Sequence, residues 1–209
     1  MTKLILASNN SHKAQEFRRF FAENAIPAEL VTMSEAGFTE EIVEDGKTFA
    51  ENAFIKANAI CKATGCIAVA DDSGLEVDAL NGAPGVYSAR YGGVHGDDAA
   101  NNEKLLRELS MVPEEERTAR FVCALCVVRP DGESLTLLGK AEGRILFERR
   151  GSGTFGYDPL FYYPPMDKTF AEMDGTEKNA VSHRGNALSL LEKNRDFFLD
   201  SHAKISLDS

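Results

Sequence analysis

The chain has 209 residues, 43% of them hydrophobic, which is enough for one sizeable core and lies near the upper end of single-domain length. A formal net charge of -10 and a pI of about 4.9 exclude the broad basic footprint that nucleic acid or an acidic membrane surface requires, so any cations facing a phosphate-bearing substrate must be local. No run approaches the ~18 apolar residues of a membrane span, and the expectation is one cytoplasmic domain over residues 1–209 that binds neither nucleic acid nor membrane.

In chain order, Lys3 to Ala7 reads as a short apolar strand. Ser8, Asn9, Asn10 and Ser11 follow as turn or cap residues, and the next helix carries Ala14, Phe17 and Phe21 on one face. A second strand is expected near Glu29 to Met33, then an acidic irregular segment from Ser34 to Gly46. Thr48 to Thr64 is helical by the spacing of Phe49, Ala53 and Ile60, and it leads into an apolar strand from Cys66 to Ala70. Asn81 to Gly93 reads as a long ordered loop, and Asp97 to Leu109 as a helix with Leu105, Leu106 and Leu109 inward. A hairpin of Arg120 to Val128 with Ser134 to Leu138 closes on Pro130, Asp131 and Gly132. Gly151 to Met166 reads as loop, and a last helix starts near Ser182 with Leu188, Leu191 and Phe198 on its buried side.

Of the four cysteines, Cys123 and Cys126 have a zinc-ribbon spacing. Residues three apart on a strand point to opposite faces, so these thiols read as core residues rather than ligands. Two phosphate motifs also fail. Gly46, Lys47 and Thr48 resemble the tail of a P-loop, but Glu41 stands where its first glycine belongs. Gly151 to Gly156 spells a dinucleotide fingerprint, yet Tyr157, Asp158 and Pro159 follow where a helix should begin.

Three places remain where chemistry could sit. Asp71, Asp72, Ser73 and Gly74 end an apolar run, and two carboxylates there suit a magnesium ion that completes its shell with substrate phosphate; the same residues also make ordinary turns. Ser8, Asn10 and the amides at the first helix start, with Lys13 one turn in, suit a phosphate or simply cap the helix. Lys178, Ser182, His183 and Arg184 gather cations at a later helix start. Lys56 and Glu44 could both be solvated surface residues.

Six motifs occur in order: Ser8 to Lys13, Thr48 to Ala53, Asp71 to Leu75, Gly82 to Tyr91, Phe155 to Phe161 and Ser182 to Leu188. Together they resemble the inosine/xanthosine triphosphate pyrophosphatase family of house-cleaning nucleotide hydrolases, over nearly the whole chain. The resemblance implies an elongated α/β fold with a long mixed β-sheet flanked by helices, two lobes around a central cleft, and a homodimer. It also implies magnesium-dependent hydrolysis of ITP, dITP and XTP to the monophosphate and pyrophosphate. Ser8, Asn9, Asn10, Ser11, His12 and Lys13 would hold phosphate, Lys56 would grip the triphosphate, and Asp72 would be the metal-linked general base beside Ser73, which contacts substrate. Glu44 matches the second metal carboxylate. Phe155, Gly156, Tyr157, Asp158, Lys178, His183 and Arg184 would enclose base and sugar, with Thr154 standing where a glycine is common. The alternatives are a less selective nucleoside triphosphate pyrophosphatase and a nucleotide-binding regulator without turnover.

Overall fold

The structure, a computed structural model, describes residues 2–152 and 155–199, so Gly153 and Thr154 of the glycine-rich segment lie outside the described residues. Its elements are β1 (Thr2–Leu6), α1 (Ser11–Glu23), β2 (Ala28–Thr32), α2 (Phe49–Thr64), β3 (Ile67–Val77), α3 (Asp98–Glu108), β4 (Thr118–Val128), β5 (Ser134–Ile145), β6 (Phe161–Tyr163), β7 (Lys168–Thr169), α4 (Gly175–Val181), α5 (His183–Lys193) and α6 (Asp196–Leu199). Among the described residues the strands form a sheet in the order β2-β1-β3-β4-β5-β6-β7. It is mixed: β1 runs parallel to β2 and β3, with Leu4 opposite Leu30 and Ile67, while β6 runs antiparallel to β5 and β7. This is the mixed α/β sheet with flanking helices that the sequence implied.

The chain divides into two compact units. Of the described residues, the first comprises 2–72, 124–138 and 187–199. Here α1 packs on β2 and α2 on β1, with Phe17, Phe21 and Phe198 in one aromatic row. Thr48 and Glu51 close a capping box at the start of α2, and Gly65 ends it in the left-handed conformation, so the local signals fix both ends of the helix. The second unit comprises the described residues of 73–123, 139–152 and 155–186. Its core joins Leu75, Leu105, Leu109, Phe121, Leu160, Phe161 and Phe170. Arg117, only 1% exposed, donates there to the carbonyls of Leu109, Ile145 and Leu146, satisfying strand and helix ends that a loop would otherwise leave unpaired.

Several expectations are corrected. The strand expected to stop at Ala70 continues through Asp71, Asp72, Ser73 and Gly74 to Val77, so these residues are mid-strand and not a turn; pairing with neighbouring strands overrides their turn preference. The stretch Asn81 to Gly93 contains a 3₁₀ helix over Gly85–Arg90. Phe161–Tyr163 forms β6 inside a segment expected to be loop, because its aromatic residues suit a half-buried strand. A separate α4 precedes Ser182, and Phe198 belongs to α6 rather than to the helix carrying Leu188 and Leu191. Cys61 and Cys126 are buried free thiols, and Cys123 is buried with them in the core rather than arranged as a ligand pair. No helix among the described residues is long and apolar enough to cross a membrane.

Candidate active site

In the first unit, the turn after β1 delivers Asn10 to the head of α1, where its side-chain oxygen accepts from the amides of His12 at 3.0 Å and Lys13 at 3.2 Å. The Ser8 hydroxyl accepts from the Asn10 amide at 3.1 Å. The cap reading is therefore what these amides show, and Asn9, Asn10, Ser11 and His12 are exposed around it. Lys13 turns its ammonium to Asp71 at 3.0 Å, a carboxylate whose side chain is fully buried. A charge that deep needs such a partner.

Lys56 is no solvated lysine. Its ammonium lies 2.7 Å from Glu44 Oε2 and 3.7 Å from Asp72 Oδ1, so one cation from α2 joins a carboxylate of the acidic segment to one of β3. Burial pulls the Lys56 ammonium down, but the charges of Asp72, Glu44 and Asp71 outweigh it and leave its pKa raised. Burial also pushes the Asp72 carboxyl up, against the opposing pull of Lys56 and of the Asn52 hydrogen bond. A carboxylate raised in this way is a better proton acceptor.

Asn52 is the residue that sequence reasoning missed here. Its amide donates to Asp72 Oδ2 at 3.0 Å while its oxygen accepts from the Gly46 amide at 2.9 Å, tying β3 to the segment that carries Glu44. A Cβ at position 46 would stand 2.6 Å from that same oxygen, which is why glycine belongs there. The signal was an asparagine on the buried stripe of a helix, where propensity alone disfavours it.

In the second unit, Ser73 accepts a hydrogen bond from Arg184 at 3.2 Å. His183 stacks on Phe121 with ring centroids 4.9 Å apart, and Phe121 stacks in turn on Phe170. Lys178 pairs with Asp158, and its ammonium lies 5.7 Å from the ring centroids of both Phe155 and Phe170. Burial raises the Asp158 carboxyl, Lys178 lowers it, and the nearby Asp98 charge raises it again. The Ser182 hydroxyl accepts from the Gly185 amide at 3.1 Å, the capping role its position suggested.

The segment Phe155 to Asp158 is held by residues to which the sequence assigned no individual role. Gly156, at φ +55°, donates its amide to Asp98 at 2.7 Å and accepts from Asn102 at 2.8 Å. The Tyr157 hydroxyl donates to the Ser88 carbonyl at 2.9 Å, and the Ser88 hydroxyl accepts from the Leu75 amide at 2.9 Å. Phe155 itself is 62% exposed, an unusual state for a large ring and one suited to stacking on a planar ligand.

The first unit thus collects Lys13 with Asp71, and Glu44, Asn52, Lys56 and Asp72; the second collects Ser73 with Arg184, and Phe155, Asp158 and Lys178. Oxygen donors balanced by lysines suit a hard divalent cation with phosphate. Among the described residues no three acidic, histidine or cysteine side chains converge as a ready-made metal cage. Two carboxylates already joined by one cation fit an ion that takes its remaining ligands from substrate and water.

A sequence model of the Ham1 family matches residues 4–194. A dITP/XTP pyrophosphatase of Clostridium perfringens is 51% identical over 200 residues, covering 93% of this chain and 97% of its own. Its counterpart in Desulforamulus reducens is 54% identical over 189 residues, covering 89% and 92%. The solved structure of the Staphylococcus aureus Ham1 protein is similar at a TM-score of 0.86 and 41% identity, over 94% of this chain and 99% of that one. A family match that takes in both units and every residue assembled above leaves one assignment: this chain belongs to the Ham1 family.

Proposed function

We propose that the chain hydrolyses non-canonical purine nucleoside triphosphates, dITP, XTP and ITP, to the nucleoside monophosphate and pyrophosphate, and so removes them from the nucleotide pool. The observation that carries this reading is the Lys56 ammonium set against both Glu44 and Asp72, a cluster with one excess negative charge in which Asp72 has a raised proton affinity. The relatives named dITP/XTP pyrophosphatase support the same chemistry.

In this reading Ser8 to Lys13 and Lys56 hold the phosphates, supplying the local positive charge that a protein of net charge -10 otherwise lacks. Asp72 takes a proton from water as the water oxygen bonds to the α-phosphorus. The bond from that phosphorus to the bridging oxygen then breaks, and pyrophosphate leaves with the electron pair. Glu44 and Asp72 would hold a magnesium ion, which when bound neutralises phosphate charge. Phe155 stacks on the base, Ser73 contacts substrate, and Gly156, Tyr157, Asp158, Lys178, His183 and Arg184 enclose base and sugar. The protein acts in the cytoplasm as a homodimer, with residues 1–209 as one functional domain.

Donors such as Arg184 pair with the 6-oxo group of hypoxanthine and xanthine, where adenine presents an amino group and would leave them unpaired. Guanine shares the 6-oxo group, so preference over ATP should exceed preference over GTP. The test is kcat/KM with magnesium for ITP, dITP, XTP, ATP and GTP, with products identified. Monophosphate and pyrophosphate are expected. Stepwise orthophosphate release would overturn the mechanism, and equal values for ITP and ATP would leave a less selective pyrophosphatase.

A further inference from the structure

Asp98 and Asn102 stand one helical turn apart on α3 and take hold of a single residue of another segment by both of its main-chain groups. The Asp98 carboxylate accepts from the Gly156 amide at 2.7 Å, and the Asn102 amide donates to the Gly156 carbonyl at 2.8 Å. The same Asn102 nitrogen donates to the Asp98 carbonyl at 2.6 Å, so the orientation of the amide is fixed: reversing it would set oxygen against two carbonyls. The arrangement has a cost. Asn102 is 2% exposed and its own oxygen has no hydrogen-bond partner, a penalty that helix α3 would avoid with a leucine at that position. Leu105 on the same helix and Leu109 at its C-cap already supply the apolar packing.

Gly156 lies between the exposed ring of Phe155 and the buried carboxylate of Asp158, whose amide donates back to the Phe155 carbonyl at 3.2 Å. Fixing both peptide planes around Gly156 therefore fixes the direction of the stacking ring and the height of the carboxylate together. We propose that Asp98 and Asn102 are the positioning residues for base selectivity, which they set by clamping the Gly156 backbone. The proposal rests on the reading of Phe155 to Asp158 as the base-recognising segment.

The test compares Asn102→Asp, which keeps size and loses both donors, with Asp98→Ala, which loses the acceptor, and Asp98→Asn, which keeps an acceptor oxygen. For Asn102→Asp and Asp98→Ala, KM for dITP should rise about tenfold or more and the preference for dITP over dATP should shrink, with kcat within about threefold of wild type. Inhibition by inorganic tripolyphosphate, which has no base, should be unchanged, and Asp98→Asn should restore dITP KM and selectivity to near wild type. Unchanged KM and selectivity in folded Asp98→Ala would overturn the proposal, as would equal losses of kcat and tripolyphosphate affinity, which mark a general structural role. If Asn102→Asp fails to fold, the Asp98 pair decides alone. Failure of the wild-type protein to turn over dITP or XTP would instead overturn the functional reading on which the proposal rests.

Discussion

Asn52 donates to Asp72 Oδ2 at 3.0 Å, leaving the other carboxylate oxygen toward Lys56. That division of labour makes the two residues separable by mutation. Asp72→Asn keeps the shape but removes the proton acceptor, and turnover should fall by at least ~10²-fold. Because burial already raises the Asp72 carboxyl toward its neutral form, the substitution should cost little thermal stability. Near-normal turnover of folded Asp72→Asn at saturating magnesium would remove Asp72 as the base.

Asn52→Asp places a second carboxylate against Asp72 and deprives it of its donor, while the Gly46 amide keeps an acceptor. A fall in kcat of about tenfold is expected, with the acidic limb of the pH–rate profile moved to higher pH, since a neighbouring like charge raises a carboxyl pKa. A profile superimposable on wild type would show that Asn52 does not tune the base.

Chelation separates a catalytic from a structural ion. Lys56 faces both Glu44 and Asp72 and Lys13 pairs with Asp71, so without a divalent cation the one excess negative charge can rest on Glu44, which is solvent-exposed. EDTA should abolish dITP turnover yet shift Tm by less than about 2 °C, with activity restored by excess magnesium. Full activity after exhaustive chelation would refute metal dependence.

Acid sensitivity should have a component from Asp78, whose carboxyl is held below its ordinary range by hydrogen bonds from Arg120 and Thr118. A depressed carboxyl contributes stability that is present above its unfolded pKa of about 3.9 and is lost as pH falls through the lower folded value. Arg120 also meets Glu76 and Glu142, and Asp78 itself is solvent-exposed, so Asp78→Asn should lower Tm by at most about 2–4 °C near neutral pH. That difference should vanish at pH ~2. A constant difference across the whole range would assign the loss to something other than this charge.

Assembly is the remaining expectation. Tyr87 is exposed within Asn81 to Tyr91, and Val94 just beyond it is exposed as well, which makes this stretch a candidate partner face. Light scattering at micromolar concentration should report a dimer, and Tyr87→Glu should shift it toward monomer. A wild-type monomer would refute the dimer.

Local signals made α1 and α2 legible from the sequence, because cap residues and an apolar stripe act within a few residues: Asn10 and Thr48 start them and Phe17, Phe21 and Ile60 face inward. The order of six motifs likewise carried the family, and the hairpin turn at Gly132 followed from glycine and proline chemistry. What sequence left open was decided by partners distant in the chain. Asp71 to Gly74 carry turn residues, yet they lie in β3, where the strand's place between β1 and β4 and the pairing of Lys13 with the buried Asp71 favour the extended chain. Lys56 could have been solvated until Glu44 and Asp72 came within reach of it. Asn52 offered only its place on a buried helix stripe, and Asp98 and Asn102 offered nothing, since a side-chain amide or carboxylate acquires its role only from the backbone group or carboxylate that folding brings to it, here Gly46, Asp72 and Gly156.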